Sequence, residues 1–109
     1  MAWIGVDLDG TLADYPPPPG VAIGFPIFAM VQRVREMIAE GNDVRIFTAR
    51  AASSLPSEYR RKAAADIMDW CERHIGKRLP VTAEKDFGMI VLYDDRCIHV
   101  EPNTGRIIG

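Results

Sequence analysis

The feature that most constrains the fold is a short apolar run near the N-terminus that ends in two acids. Residues 3–6 (Trp-Ile-Gly-Val) are followed by Asp7, Leu8, Asp9 and Gly10. The run is too short for a helix, and its length and β-branched content favour a buried strand. The acids then lie where the strand ends, and Gly10 lets the backbone turn sharply beside them. Because ligands of open α/β sheets bind beyond the carboxyl ends of the strands, this edge is the expected functional edge.

Two carboxylates at one strand end favour a bound cation. Asp7 and Asp9 disfavour each other's ionisation at close range. A divalent ion relieves that repulsion, and ligands that are all oxygen favour Mg²⁺ or a similar hard ion. The sequence therefore predicts a magnesium site at this edge.

Length and composition predict one soluble domain over residues 1–109. The 109 residues carry a net charge of −2, which gives no reason to expect nucleic acid or an anionic membrane as a bulk electrostatic partner. The sequence has no apolar stretch near the ~20 residues that span a bilayer. No basic region precedes the first apolar run, so it is not read as a signal peptide. With Cys71 and Cys97 as the only cysteines, both expected to be reduced, a cytoplasmic location is the default expectation.

A strand–helix–strand pattern follows the acidic turn. Apolar residues recur at helical spacing over 26–40, with Pro26 suited to the first turn and Gly41 to the stop. Residues 43–48 then read as a second strand that ends in Thr48. A right-handed crossover makes the two strands parallel, so Thr48 is expected at the same edge as the acids.

A second helix is predicted from about Glu58 to Ile75, with Ser57 as a plausible cap and Gly76 as its end. The stretch 79–82 reads as a short extended piece. The predicted inward face of the helix consists of Ala64, Ile67, Met68, Cys71 and Ile75.

The last strand carries a second acidic pair. Met89–Tyr93 is a continuous apolar run, which is typical of a fully buried parallel strand, and Asp94 and Asp95 follow it directly. The stretches 97–100 and 106–108 bracket a Pro-Asn-Thr-Gly turn, which predicts a C-terminal β-hairpin.

This set of side chains suits phosphoryl transfer. A carboxylate that the metal does not consume can attack phosphorus. A neighbouring acid can protonate the leaving oxygen and later deprotonate water. Thr48 and Lys85, on a loop just before the last acidic strand, supply a hydroxyl and a cation for the phosphoryl oxygens.

The motifs resemble the four signatures of the haloacid dehalogenase-like (HAD) superfamily of phosphotransferases. The stretch 7–12 (Asp-Leu-Asp-Gly-Thr-Leu) is similar to the first, Thr48 to the second, Lys85 to the third, and Asp94-Asp95 to the fourth. Their order and spacing fit across essentially the whole chain. The resemblance implies an α/β, Rossmann-like three-layer sandwich around a mostly parallel sheet.

The resemblance also implies roles. Asp7 would be the nucleophile and a magnesium ligand, and Asp9 the general acid/base, with its backbone carbonyl reaching the metal. Thr48 and Lys85 would bind the phosphoryl group, with contacts from the adjoining Ala49 and Arg50. The remaining metal ligands would be Asp94 and, directly or through water, Asp95. Phosphatase chemistry on a phosphomonoester, a small molecule or a nucleic-acid end, is favoured because members that cleave other bonds generally lack an acid at position 9.

The intervals between the motifs leave no room for a cap domain. The site should therefore be open, with specificity from the loops 15–20 and 50–57 or from a neighbouring subunit of a homo-oligomer. Whether Arg50, Arg60, Arg61 or Arg96 contacts substrate stays open.

Two other classes of function remain. A receiver-like phospho-acceptor domain uses similar residues, but its acceptor would close the middle strand, whereas Asp43 opens it. A catalytically silent binding domain is the other alternative, and the complete set of acids argues against it.

Overall fold

Strand β1 (Trp3–Val6) lies inside the sheet and is buried at all four positions. It pairs in parallel with β2 on one side and with β4 on the other. The sheet has four strands in the order β3-β2-β1-β4, and all pairs are parallel. The predicted first strand and the parallel sheet are thus confirmed.

The computed structural model describes residues 2–109. A single 3₁₀ turn, Ala49–Ala51, follows β2. The helices and strands are β1 Trp3–Val6, α1 Phe28–Ala39, β2 Val44–Phe47, α2 Ser57–His74, β3 Val81–Thr82, β4 Met89–Tyr93, β5 His99–Val100 and β6 Ile107–Ile108. None of the helices in this part of the chain is long and apolar enough to cross a membrane.

Helix α1 starts two residues later than predicted. Pro26 precedes the helix, and Ile27 is its N-cap in an extended conformation. Gly41 has φ +90°, which places it in the left-handed region suited to glycine, as predicted. The sequence therefore located this helix correctly and misplaced only its first turn.

Helix α2 differs from its prediction in its cap and its inward face. Ser57 lies inside the helix, and the N-cap is Pro56, which makes no side-chain capping bond. The Trp70 indole Nε1 donates to the carbonyl of Gly24 at 3.1 Å, which turns this large side chain into the core. Ala64 and Met68 are accordingly only half-buried. The buried residues of the helix are Ala63, Ile67, Trp70 and Cys71.

Both helices pack on one face of the sheet. Ile4 pairs with Val44 and Val6 with Ile46, so these four side chains share a face. One core cluster joins them to α1 through Val31, Val34 and Met37, and to α2 through Ile67, Trp70 and Cys71. The helices also touch each other, because Arg35 Nη2 donates to the carbonyl of His74 at 2.7 Å. The chain moves from β1 to β2 to β3 toward the same edge of the sheet. Because both crossovers are right-handed, α1 and α2 lie on the same face.

The opposite face is crossed by an extended segment. Residues 83–88 connect β3 to β4 and contain no helix. Asp86 accepts a 2.8 Å hydrogen bond from the Trp3 indole, and the Arg45 guanidinium lies 4.7 Å from the Trp3 ring centroid. The three-layer arrangement implied by the resemblance is therefore not confirmed; the described helices form a single layer.

Strand β4 is an edge strand, and the prediction that it is fully buried is wrong. Ile90 is 64% exposed and Val91 42% exposed, because β4 has a neighbour on one side only. A continuous apolar run is equally compatible with the centre and the edge of a parallel sheet. The predicted C-terminal hairpin is confirmed as β5 paired antiparallel with β6, although each strand is shorter than expected.

Candidate active site

Three carboxylates from two neighbouring strand ends meet at one point. Asp7 follows β1, and Asp94 and Asp95 follow β4; one oxygen of each lies within 4.8 Å of the others. The Asp7 N–H donates to the carbonyl of Tyr93 at 2.8 Å, which fixes the two strand ends side by side. The parallel sheet thus brings together the acids that the sequence placed at its edge.

The donor set of this cluster is chemically suited to a hard cation. All three side chains offer oxygen, the atom that Mg²⁺ prefers. Exposed acidic groups are nevertheless common in proteins without an ion. The donor set of the three carboxylates therefore fits Mg²⁺.

The Thr11 hydroxyl bridges the two strand ends, and sequence reasoning assigned it no role. Its Oγ1 lies 3.4 Å from Asp7 Oδ2 and 3.3 Å from Asp95 Oδ1, and it accepts the Asp95 N–H at 3.1 Å. Its single proton can serve only one carboxylate at a time. The signal for this residue was present in the sequence, because a hydroxyl directly after an acidic turn is well placed to bond to it.

Asp7 and Asp95 have opposite pKa shifts. Burial, the hydrogen bond with Asp95 and the charge of Asp94 raise the pKa of Asp7 to about 7. The hydrogen bond from Asp7 lowers the pKa of Asp95. Asp7 is the more buried of the two, so in the metal-free protein the shared proton resides on Asp7 and Asp95 is ionised.

Asp9 points away from this cluster and forms a bidentate ion pair with Arg50. Arg50 Nε lies 2.8 Å from Asp9 Oδ2, and Nη2 lies 2.7 Å from Asp9 Oδ1. Arg50 Nη1 also donates to the carbonyl of Ala22 at 2.9 Å, which ties the proline-containing loop to the site. Hydrogen bonding to Asp9 raises the pKa of Arg50, with smaller contributions from the phenols of Tyr59 and Tyr15. The first turn of the chain thus carries two acids in two different environments.

Thr48 lies at the same edge, as its position after β2 predicted. It is buried, and its Oγ1 accepts the Arg50 N–H at 3.1 Å, which caps the 3₁₀ turn. The hydroxyl keeps its own proton for donation to a ligand. Thr48, Ala49 and Arg50 all line the same cleft as the acids.

Lys85 is the predicted site residue that the structure does not bring into the cleft. It is exposed and lies in the segment that crosses the opposite face of the sheet. Ala83 lines the cleft, whereas Lys85 is not among the lining residues. After Ala83 the chain turns away from the cleft, because residues 83–88 have to reach the start of β4 at the other end of the sheet.

The cleft has a volume of about 1050 Å³ and joins the acids to both predicted specificity loops. Tyr15 and Pro17 come from the loop after β1, and Leu55 from the loop after β2. Of the four arginines left open by the sequence, Arg50 and Arg96 line the cleft; Arg60 and Arg61 do not. The full lining is Asp7, Asp9, Gly10, Tyr15, Pro17, Phe47, Thr48, Ala49, Arg50, Ala52, Leu55, Tyr59, Ala83, Asp94, Asp95 and Arg96.

No protein-family model, curated protein or solved structure matches the chain.

Proposed function

We propose that this chain is a Mg²⁺-dependent phosphomonoester phosphatase of the haloacid dehalogenase-like type. The observation that supports the proposal is that the two acids at the end of β1 have different partners. Asp7 lies with Asp94 and Asp95, where oxygen donors cluster, while Asp9 lies apart on Arg50 in the same cleft. A nucleophile next to a metal position and an acid/base away from it is what two-step phosphate hydrolysis requires.

In the first step, Asp7 attacks phosphorus. A bond forms from an Asp7 carboxylate oxygen to phosphorus while the bond from phosphorus to the ester oxygen breaks, which gives an aspartyl phosphate and an alcohol. The leaving oxygen takes a proton from Asp9. Removal of one such acid typically costs about 10²- to 10⁴-fold in rate.

In the second step, water hydrolyses the aspartyl phosphate. Asp9 takes a proton from the water, whose oxygen attacks phosphorus and releases the Asp7 carboxylate and inorganic phosphate. This step needs ionised Asp9, whose carboxylate oxygen Oδ1 lies 2.7 Å from Arg50 Nη2. Donation in the first step needs the protonated form, so Arg50 has to release at least one Asp9 oxygen when substrate binds.

Other groups hold the phosphoryl oxygens. Thr48 is placed to donate its hydroxyl proton, since its oxygen already accepts the Arg50 N–H. Mg²⁺, held by Asp7, Asp94 and Asp95 and by the Asp9 backbone carbonyl, would neutralise charge that develops on these oxygens. Lys85 lies outside the cleft, and no step of the proposal uses it.

A receiver-like acceptor is less well supported. Its acceptor carboxylate would have to close β2, but the residues at that end are Phe47 and Thr48. Asp43 lies at the other end of the strand, where it pairs with Arg45 at 2.9 Å. The proposal also includes the cytoplasmic location and the homo-oligomer expected from the sequence.

The direct test is steady-state phosphate release from a panel of phosphomonoesters, with Mg²⁺ and with EDTA. We expect multiple turnovers that disappear with EDTA and in Asp7→Asn and Asp9→Asn. Asp66→Asn is the matched control, because Asp66 pairs with Lys62 on the exposed side of α2. One phosphate retained per chain without turnover would indicate a phospho-acceptor, and neither result in the folded protein would indicate a binding domain.

A further inference from the structure

The cleft is much larger than the group that reacts in it. Its volume of about 1050 Å³ lies at the upper end of the roughly 300–1,000 Å³ that small-molecule sites occupy. The acids and Thr48 account for the phosphoryl end. The remaining space must receive the leaving group, and its lining therefore indicates what that group is.

Two tyrosines line the space beyond the acids. Tyr15 comes from the loop after β1, and Tyr59 from the first turn of α2. Tyr15 is 59% exposed and Tyr59 49% exposed, so their rings are open to a ligand. Both tyrosines line the same cleft as Arg50 and Asp9. The apolar residues Pro17 and Leu55 line this cleft as well.

We propose that this aromatic part of the cleft, formed by Tyr15, Tyr59, Pro17 and Leu55, binds the base of a single nucleotide whose phosphate is hydrolysed at Asp7. The inference rests on the proposed phosphatase function and names its substrate class. Tyrosine rings offer flat faces on which any base can stack, and each stacked base contributes substantially to binding. An aliphatic leaving group such as glycerol has no flat face and gains little from them.

The charges near the cleft favour a free nucleotide over a nucleic-acid end. A polymer needs a track of cations for its backbone. Lys62 pairs with Asp66 at 3.0 Å, and Arg60 Nε donates to the carbonyl of Leu55 at 3.0 Å, so two of the three cations at the start of α2 already have protein partners. The net charge of −2 likewise gives no general attraction to a polyanion.

The test compares kcat/KM for nucleoside 5′- and 3′-monophosphates with kcat/KM for glycerol phosphate in Mg²⁺. We expect nucleotides to be preferred, and Tyr59→Ala to lower the nucleotide-to-glycerol ratio by about 5- to 150-fold. Tyr15→Ala should act in the same direction. Tyr59→Phe keeps the ring and should keep most of the ratio. Phe28→Ala, which removes an aromatic residue that is 80% exposed and outside the cleft, should leave it unchanged.

A binding measurement separates this inference from the proposed function. Adenosine 5′-monophosphate is titrated calorimetrically into Asp7→Asn and into Asp7→Asn with Tyr59→Ala. Weaker binding in the double variant supports base recognition whether or not turnover is found. Equal kcat/KM for glycerol phosphate and nucleotides, with phosphate release intact, would overturn the inference and leave the phosphatase standing. Turnover of 5′-phosphorylated oligonucleotides better than mononucleotides would overturn the choice of a free nucleotide.

Discussion

Strands β1 and β4 look alike in the sequence and differ in the structure. Each is an apolar run that ends in a pair of acids, and the two are hydrogen-bonded neighbours. Strand β1 has a partner on both sides and is buried throughout, whereas β4 is at the edge, with Ile90 and Val91 exposed and a register shift beside Trp3. One half of the candidate site therefore follows a strand that is hydrogen-bonded to a neighbour on both sides. The other half follows a strand that is hydrogen-bonded on one side only.

This difference separates the two halves of the proposed site. The end of β1 supplies the groups that would change bonds, Asp7 and Asp9, on the better supported strand. The end of β4 supplies Asp94 and Asp95, whose proposed task is to hold an ion, and ion coordination tolerates small movements better than an in-line attack does.

The largest expected effect is on kcat, when a single acid is substituted at the end of β1 or at the end of β4. Asp7→Asn should lower kcat by about 10⁴-fold or more at any Mg²⁺ concentration, because the proposed nucleophile is lost. Asp95→Asn should cost about 10- to 100-fold, recovered in part at high Mg²⁺, because it affects ion binding. Phosphate release across a Mg²⁺ titration measures both. If Asp95→Asn were as inactive as Asp7→Asn at saturating Mg²⁺, the division between the two ends would be wrong.

The second expected effect is on the free energy of unfolding, and it compares one isoleucine in β1 with one isoleucine in β4. Ile4→Ala in β1 should lower the free energy of unfolding by about 2–5 kcal/mol, because it leaves a cavity in the core. Ile90→Ala in β4 should change it by no more than about 0.5 kcal/mol, because that side chain is mostly in water. Urea denaturation with a constant m value is the measurement. Similar losses at both positions would show that β4 is covered in solution.

The sequence was sufficient where local chemistry decides the outcome. Gly41 ends α1 in a left-handed conformation, the apolar residues 3–6 form a strand, and the Pro-Asn-Thr-Gly stretch turns a hairpin. Where the outcome depends on partners distant in sequence, it was not sufficient. The exposure of β4 follows from strand order, and the rotation of α2 follows from a bond between Trp70 and Gly24, 46 positions apart.

In the candidate site too, contacts between residues distant in sequence could not be predicted from the sequence. Topology alone placed Asp7, Thr48 and Asp94 at one edge, because all carboxyl ends of a parallel sheet meet there. The pairing of Arg50 with Asp9 depends on side-chain direction across 41 positions, which no local pattern encodes. Lys85 lies outside the cleft because the segment 83–88 leaves the cleft at Ala83 and crosses the opposite face of the sheet toward β4.

A third, smaller effect tests the close contact between Gly10, after β1, and Asp95, after β4. Gly10 has φ +87°, and a Cβ there would lie 2.6 Å from Asp95 Oδ2. Gly10→Ala should therefore destabilise the protein by about 1–2 kcal/mol through backbone strain and displace Asp95. Thermal unfolding and kcat/KM are measured together. Gly41→Ala is the control, because Gly41 also has positive φ but has no neighbour within 4 Å and lies outside the cleft, so activity should fall only in the first variant.

The smallest effect is a pH dependence of stability in the metal-free protein. The pKa of Asp7 is raised to about 7, so the folded state binds a proton that the unfolded state releases near pH 4. Stability from this group is present at low pH and is lost as the pH rises through 7. Asp95 has a lowered pKa and stays ionised over this range. Asp7→Asn should remove the slope between about pH 4 and pH 7, gaining roughly 1 kcal/mol at pH 8 after solvent screening.

The control for this slope is Asp66→Asn, measured in EDTA by urea denaturation at each pH. Asp66 forms an exposed pair with Lys62 on α2, so its removal should leave the slope between about pH 4 and pH 7 intact. A slope that survives in Asp7→Asn would place the titrating group elsewhere.

The pairing of β1 with β4 has a consequence for synthesis on the ribosome. Trp3 and Met89 are register partners, and Thr11 meets Asp95 across 84 positions. A nascent chain can assemble β1, α1 and β2 early, yet it lacks the second acidic pair until Asp94 and Asp95 have been added, long after β2. At about 5–20 residues per second, the central strand waits several seconds with one edge unpaired. The end of β4, which carries half of the proposed site, is therefore the last part of the four-stranded sheet to be completed during translation.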